Sequence, residues 1–230
     1  DVLIDNGMIV DGSGSEPFTG DVAIPGDRIV AVAPQIDGAA SRTIGPRGLA
    51  VAPGFINMLS WAAESLIEDG AGESDIRQGV TLEVMGEGWS MGPYNEEMVR
   101  LETERQADIK YPIDWRTLGQ YLQKMERRGI APNIASFVGA TTVRVFRLGE
   151  GDVDPPPAQL KTMQNDVRFA MNEGAFGVGS SLIYAPAFYA ETPELIALAT
   201  ASAQCGGMYI SHIRDEGPKL LEAIDELVEI

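Results

Sequence analysis

The stretch YISHIRDE, residues 209–216, is the segment most informative about the fold, because a predicted strand there ends in side chains that can take part in chemistry. Its apolar first half predicts a buried strand that stops at His212, and charged residues follow directly. His212 is the only histidine among the 230 residues. In folds built on a parallel sheet, catalytic and binding residues collect at the carboxyl ends of the strands. His212 is therefore the first candidate for a functional residue.

Four similar apolar runs precede this strand, and helical patterns separate them. The predicted strands are 54–59, 81–85, 133–138, 175–179 and 207–212. The predicted helices lie near 61–69, 73–79, 95–105, 114–129, 157–172 and 193–204. Strands that alternate with helices predict an α/β fold with a parallel sheet. About five such β/α units fit an incomplete (β/α)₈ barrel better than a small doubly wound sheet.

The first 52 residues follow a different pattern, since their β-rich runs are short and no helix separates them. The runs are 2–4, 8–10, 21–24 and 28–32, with turn signals at 11–14 and 25–27. The pattern changes at Pro53-Gly54. We therefore predict a small β layer, the N-terminal part of a β-sandwich, over 1–52 and the first part of the barrel over 53–230.

The two chain ends predict a longer protein. The chain begins at Asp1 rather than Met, and the amphipathic run 218–230 stops without a helix cap. A complete eight-stranded barrel also needs about 250 residues. We expect the 230-residue segment to be inactive by itself, and its compartment, cytoplasmic or periplasmic/secreted, is left open.

Composition limits the partners. The net charge is −17, from 34 acidic and 17 basic residues, and such a surface repels nucleic acid. Cys205 is the only cysteine, so no disulfide framework is expected. No apolar run reaches the about 18 residues of a membrane span. A small molecule is the expected partner, without nucleic acid or membrane, and a homo-oligomer is left open.

Several motifs together resemble a known family. Segments 1–12, 21–29 and 51–57 resemble the start of amidohydrolase-superfamily enzymes. Four later segments resemble the N-acyl-D-amino-acid deacylase (D-aminoacylase) branch, N-terminal part. They are QGVT at 78–81, GAFG at 174–177, LIYAP at 182–186 and GGMYISHIRDEG at 206–217. This resemblance implies a TIM-like barrel with a small β-sandwich, and a metal-dependent hydrolase that uses zinc to cleave an amide bond.

The resemblance also implies which residues bind the metal, and here the chain departs from the family. The fifth-strand histidine of the family is a metal ligand, and His212 matches it. The His-x-His motif after the first strand is missing, because residues 59–61 read Leu-Ser-Trp. The third-strand histidine is replaced by Ala140. The second-strand cysteine ligand falls in Gly86-Glu87-Gly88, where Glu87 would supply a carboxylate instead of a thiolate.

The predicted metal ligands are therefore His212 and Glu87, holding one divalent ion, with the general base expected beyond Ile230. Tyr184, after the fourth strand, and Arg214 are the predicted substrate-binding residues, since a guanidinium can bind a carboxylate through two hydrogen bonds. Each residue also has a structural interpretation. His212 could simply end a strand, Glu87 could be a solvated loop residue, Tyr184 could pack on nearby aromatics, and Arg214 could belong to an ion-pair cluster.

Two other functions remain open at this point. The missing His-x-His favours a catalytically degenerate amidohydrolase-fold protein that binds a ligand without hydrolysing it. A cyclic-amide hydrolase relative, such as a hydantoinase, is disfavoured by the same loss, and by the absence of any lysine between Lys161 and Lys219. Trp61 and Trp89 follow predicted strands and could fill the space of the missing histidines and contact a ligand, but core packing is the default expectation for both.

Overall fold

The computed structural model describes all 230 residues, which form two compact units. The first unit is Asp1–Phe55 and the second is Ile56–Ile230, so the division falls a few residues after the predicted one. No helix in either unit combines the length and the apolar character that crossing a membrane requires.

The first unit is a five-stranded mixed sheet. Its strands are β1 (Val2–Ile9), β2 (Phe18–Ile24), β3 (Ala31–Ala33), β4 (Arg42–Ile44) and β5 (Ala50–Val51). The order is β3-β2-β1-β4, and β5 also pairs with β1. The β1–β2 and β2–β3 pairs are antiparallel, whereas β4 and β5 both run parallel to β1.

A buried carboxylate organises this sheet. The register of β1 shifts between Ile4 and Gly7, where Asn6 takes a left-handed conformation with φ of 58°. Asp21 accepts hydrogen bonds from the backbone N–H groups of Asn6 (2.9 Å) and Ile36 (2.8 Å). These two bonds hold the pKa of the Asp21 carboxyl below its usual value. The bulge and the loop before β4 are thereby fixed to β2.

The second unit contains two three-stranded sheets, ordered β6-β7-β8 and β9-β10-β11. The strands are β6 (Phe55–Asn57), β7 (Val80–Met85), β8 (Asn133–Ser136), β9 (Val138–Gly139), β10 (Gly177–Ser181) and β11 (Met208–His212). The β7–β8, β9–β10 and β10–β11 pairs are parallel, as predicted. One extended segment forms both β8 and β9, and its pairing changes sheets at Phe137.

Helices follow the strands. They are α1 (Ser65–Glu68), α2 (Glu73–Ile76), α3 (Glu96–Arg105), α4 (Leu118–Arg128), α5 (Ala140–Leu148), α6 (Pro157–Asn172), α7 (Thr192–Ala203) and α8 (Leu220–Glu229). The predicted helices at 61–69 and 73–79 shrink to single turns. Helix α4 begins later than predicted because Thr117 and Gln120 form a capping box at its N-terminus. It buries Leu118, Tyr121 and Met125.

A buried ion pair joins α5 to α7. The Arg144 guanidinium and the Glu194 carboxylate are 2.5 Å apart, and their side chains are 1% and 3% exposed. Arg144 also donates to the carbonyl oxygen of Val153 at 2.7 Å. Burial raises the pKa of Glu194 to about 7, against the opposing charge of Arg144. The pair fixes two helices that flank β10.

Candidate functional site

The structure brings together Glu87, which lies early in the sequence of the second unit, and His212, which lies late in it. Glu87 follows β7 and His212 ends β11, and Oε2 of Glu87 lies 3.9 Å from Nδ1 of His212. Both side chains are largely buried, with 12% and 22% of their surface exposed. Two of the predicted site residues therefore share one location at the carboxyl ends of parallel strands.

Glycines position the loop that carries Glu87. Gly86 has a φ of +90°, and a Cβ there would lie 2.1 Å from the carbonyl oxygen of Phe137. A Cβ on Gly179 in β10 would lie 2.3 Å from the carbonyl oxygen of Gly86. Only glycine permits this close passage of backbone past backbone. The GEG sequence thus places the Glu87 carboxylate beside β10 and β11.

Burial and neighbouring groups act in opposite directions on the pKa of the Glu87 carboxyl. Burial raises the pKa of the Glu87 carboxyl, while the nearby His212 and the Ser181 hydroxyl oppose that shift. Ser181 Oγ lies 3.5 Å from Glu87 Oε2 and donates to it weakly. Glu87 is therefore not the solvated loop residue of the alternative interpretation.

The ring nitrogen Nε2 of His212 is buried and has no hydrogen-bond partner. The Glu216 Oε1 atom is 3.2 Å away, but outside hydrogen-bonding geometry. The Tyr184 ring meets the imidazole edge to face, with centroids 5.1 Å apart and planes at 76°. A buried polar atom without a hydrogen-bond partner costs free energy, so Nε2 of His212 is suited to bind a ligand.

The residues present fit a part of a metal site and not a whole one. A catalytic zinc takes three protein ligands and a water. The chain contains no group of three or more His, Cys, Asp or Glu side chains arranged to hold a metal ion. Glu87 and His212 supply two donors of the right type. Leu59 and Trp61, after β6, supply none, and both side chains are exposed.

Arg214 is held by structural partners. Its Nε and Nη2 donate to the Glu226 carboxylate at 2.8 and 2.7 Å. Nη1 and Nη2 donate to the carbonyl oxygens of Phe188 and Ala190, each at 2.8 Å. The pair raises the pKa of Arg214 and lowers that of Glu226. A substrate carboxylate would have to replace one of these partners, so the substrate-binding role of Arg214 stays a prediction.

Tyr184 lies in the loop that Arg214 anchors. The Phe188 N–H donates to the Tyr184 carbonyl oxygen at 2.8 Å, which closes a turn just before the two anchored carbonyls. The side chain is 58% exposed, and its aromatic neighbour is His212. Tyr184 therefore packs on His212 while most of its surface stays exposed, and its substrate-binding role stays a prediction.

Sequence reasoning missed a cavity beside Glu87. It has a volume of about 270 Å³, and its lining includes Trp61, Trp89, Tyr121 and Gly86. Both tryptophans were expected in core packing, yet Trp61 is 67% exposed. The available signal was the position of each tryptophan just after a strand on the functional side of the sheet.

Comparisons with known proteins identify what the chain as a whole is similar to. No protein-family model matches the chain. D-aminoacylase of Alcaligenes xylosoxydans xylosoxydans is 29% identical over 240 residues, which cover 100% of this chain and 48% of the relative. The crystal structure of a D-aminoacylase superposes with a TM-score of 0.86 at 28% identity, covering 98% of this chain and 48% of that one. The N-acyl-D-glutamate deacylase of Bordetella bronchiseptica, solved with zinc and a phosphonate inhibitor, gives 0.86 at 26% identity, covering 100% and 48%.

These similarities confirm the resemblance to the D-aminoacylase branch of the amidohydrolase superfamily. The chain has a mixed α/β fold similar to that of D-aminoacylase. It spans about half the length of the curated relatives it matches.

Proposed function

We propose that the full-length protein carrying this chain is a metal-dependent hydrolase that cleaves the amide bond of an N-acyl-D-amino acid. The observation that carries this proposal is the Glu87 carboxylate, which lies 3.9 Å from Nδ1 of the largely buried His212. This pair lies at the carboxyl ends of parallel strands, in a chain similar to a deacylase solved with zinc. The substrate class follows from the relatives, which are named as D-aminoacylase and N-acyl-D-amino-acid deacylases.

The proposed architecture extends the fold described above. We infer that the two parallel sheets are the first five strands of a TIM-like (β/α)₈ barrel, with Asn133–Gly139 counted as one strand. The barrel part is 53–230, and 1–52 is part of a β-sandwich. The parallel pairing and the helices between the strands support this inference.

His212 and Glu87 would hold one zinc ion together with residues outside these 230, which would also supply the general base. When bound, zinc lowers the pKa of a water molecule toward about 7 and polarises a carbonyl. Tyr184 would present its exposed ring and hydroxyl to the substrate beside His212. The glycines around Glu87 would hold its backbone close to β10, and the Ser181 hydroxyl would help to orient its carboxylate.

One observation favours a second candidate, a catalytically degenerate protein that binds its ligand without hydrolysis. Leu59 and Trp61 have no ligating atom, so the first strand contributes nothing to a metal site. A site with fewer protein ligands could bind an N-acyl amino acid and leave it intact.

Metal analysis and hydrolysis by the full-length protein test both candidates. We expect one divalent ion per chain and hydrolysis of N-acetyl-D-amino acids in preference to their L forms. His212→Ala and Glu87→Gln should lose the ion, whereas Cys205→Ser, at an exposed residue, should retain it. Unchanged metal content in both ligand variants would rule out these ligands. A protein that binds the D substrate without cleaving it would be the degenerate form.

A further inference from the structure

The cavity beside Glu87 is separate from the two proposed metal ligands. Five large side chains dominate its wall: Trp61, Met85, Trp89, Met91 and Tyr121. We name it the tryptophan pocket. Ligand pockets are typically apolar with few polar groups, and they favour the carboxyl ends of parallel strands. The tryptophan pocket meets both criteria.

The floor of the tryptophan pocket is rigid. Met85 and Tyr121 are 4% and 1% exposed. The Tyr121 hydroxyl donates to the carbonyl oxygen of Ala63 at 3.0 Å, so it is already paired. The Met91 carbonyl accepts a hydrogen bond from the indole nitrogen of Trp115 at 2.8 Å, which fixes the backbone beneath that wall. Trp61, at 67% exposed, forms an open side.

The serine hydroxyls of the tryptophan pocket already take part in hydrogen bonds. The hydroxyl of Ser60 accepts from the Ala62 N–H at 3.2 Å. Those of Ser90 and Ser136 donate to backbone carbonyls at 2.6 and 2.8 Å. The one charged lining residue is Glu64, whose carboxylate accepts from the Tyr111 hydroxyl at 2.9 Å. No cation lines the pocket and an anion would meet Glu64, so an anionic occupant is disfavoured, and the large apolar side chains of the wall favour an apolar group.

The volume indicates the size of that occupant. An apolar cavity of about 150 Å³ takes benzene. The tryptophan pocket, at about 270 Å³, has room for an apolar group roughly twice as large. It begins at Gly86, and the next residue is Glu87, whose carboxylate faces His212. Gly86 is thus the point of contact between the cavity and the Glu87 loop, and a substrate with its amide at Glu87 and His212 would extend its acyl chain past Gly86 to reach the cavity.

We propose that the tryptophan pocket binds the acyl chain of the substrate, and that the full-length enzyme therefore prefers medium-length acyl groups over acetyl. This inference rests on the proposed deacylase function for the identity of the substrate. The mostly apolar character of the pocket rests on the structure of this chain alone.

Acyl-length specificity is the first test. For one D-amino acid, we expect the kcat/KM of the full-length protein to be at least tenfold higher for the N-octanoyl than for the N-acetyl form. Trp61→Ala should collapse that ratio. Phe169→Ala removes an exposed aromatic ring from α6, outside the pocket, and should preserve it. An acetyl preference, or an unchanged ratio in Trp61→Ala, would overturn the proposal.

A binding measurement keeps the proposal separate from the catalytic function. Octanamide should bind the full-length protein saturably and change the fluorescence of Trp61 and Trp89, while Trp115 lies in the core and gives a constant background. Octanoate should bind more weakly because of Glu64, and Trp61→Ala should abolish the signal. Octanamide binding without any hydrolysis would support the pocket and refute the deacylase. Hydrolysis of N-acetyl substrates without octanamide binding would support the deacylase and refute the pocket.

Discussion

Replacing Glu226 with glutamine should release the loop that carries Tyr184. Both oxygens of Glu226 accept from the Arg214 guanidinium, and Oε1 also accepts from the Thr192 hydroxyl at 2.9 Å. Glutamine keeps one accepting oxygen and turns the other into a donor, which the guanidinium cannot use. Arg214 would then hold the carbonyl oxygens of Phe188 and Ala190 less firmly.

The magnitude follows from burial. The Glu226 and Arg214 side chains are only 13% and 24% exposed, so their hydrogen bonds are partly shielded from water. Losing one charge-assisted hydrogen bond should lower the free energy of unfolding by about 2 kcal/mol. Because the ion pair depresses the pKa of Glu226, this stabilisation is complete above 4.5, the ordinary value of the carboxyl, and is lost as the pH falls further. The difference between wild type and Glu226→Gln should therefore shrink in acid.

Urea unfolding and amide hydrogen exchange of the full-length protein measure the two effects. Exchange should accelerate over residues 182–190 in Glu226→Gln. Glu96→Gln is the matched control, since Arg116 pairs with Glu96 through two hydrogen bonds of 3.0 and 3.1 Å, yet Glu96 is 85% exposed. That variant should unfold like wild type. Wild-type exchange at 182–190 in Glu226→Gln would refute the anchoring role of Arg214.

Three further variants test other parts of the second unit. Arg144→Met should lower the free energy of unfolding at pH 8 by about 3–5 kcal/mol, because it leaves the Glu194 carboxylate buried without its cation. The folded-state pKa of Glu194 is raised to about 7. Wild type should therefore lose stability relative to Glu194→Gln as the pH rises from 4.5 through 7. Urea titrations at about pH 5 and 8 would detect this loss. Gly179→Ala should push Gly86 away and lower metal occupancy, while circular dichroism stays near wild type; full occupancy would contradict the role given to these glycines.

Strand positions were predictable because each apolar run ends at glycine or polar residues. The predicted 81–85 and 207–212 agree with β7 and β11 to within one residue. Helix α5 was not predicted, since Thr141, Thr142 and Val143 are β-branched and disfavour a helix. All three are buried, so tertiary packing overrides their local preference.

Two site residues were predicted from the resemblance to the deacylase branch, which pointed to His212 and to Glu87 between two glycines. The structure places these two side chains 3.9 Å apart, and their role as metal ligands stays a prediction. The partners of Arg214 could not be predicted, because Glu226 approaches it only through the packing of α8. The tryptophan pocket was not predicted for a related reason. Trp61 and Trp89 are of a residue type that usually packs in the core, and the sequence does not show the cavity that both of them line.

Phe137, where the chain passes from one sheet to the other, connects the sheet that precedes Glu87 to the sheet that ends at His212. Glu87 extends from the sheet β6-β7-β8, whereas His212 belongs to β9-β10-β11. Phe137 is fully buried, its N–H donates to the Met85 carbonyl at 2.8 Å, and its ring meets that of Phe176 edge to face. The packing of Phe137 therefore contributes to the 3.9 Å separation between the Glu87 carboxylate and Nδ1 of His212.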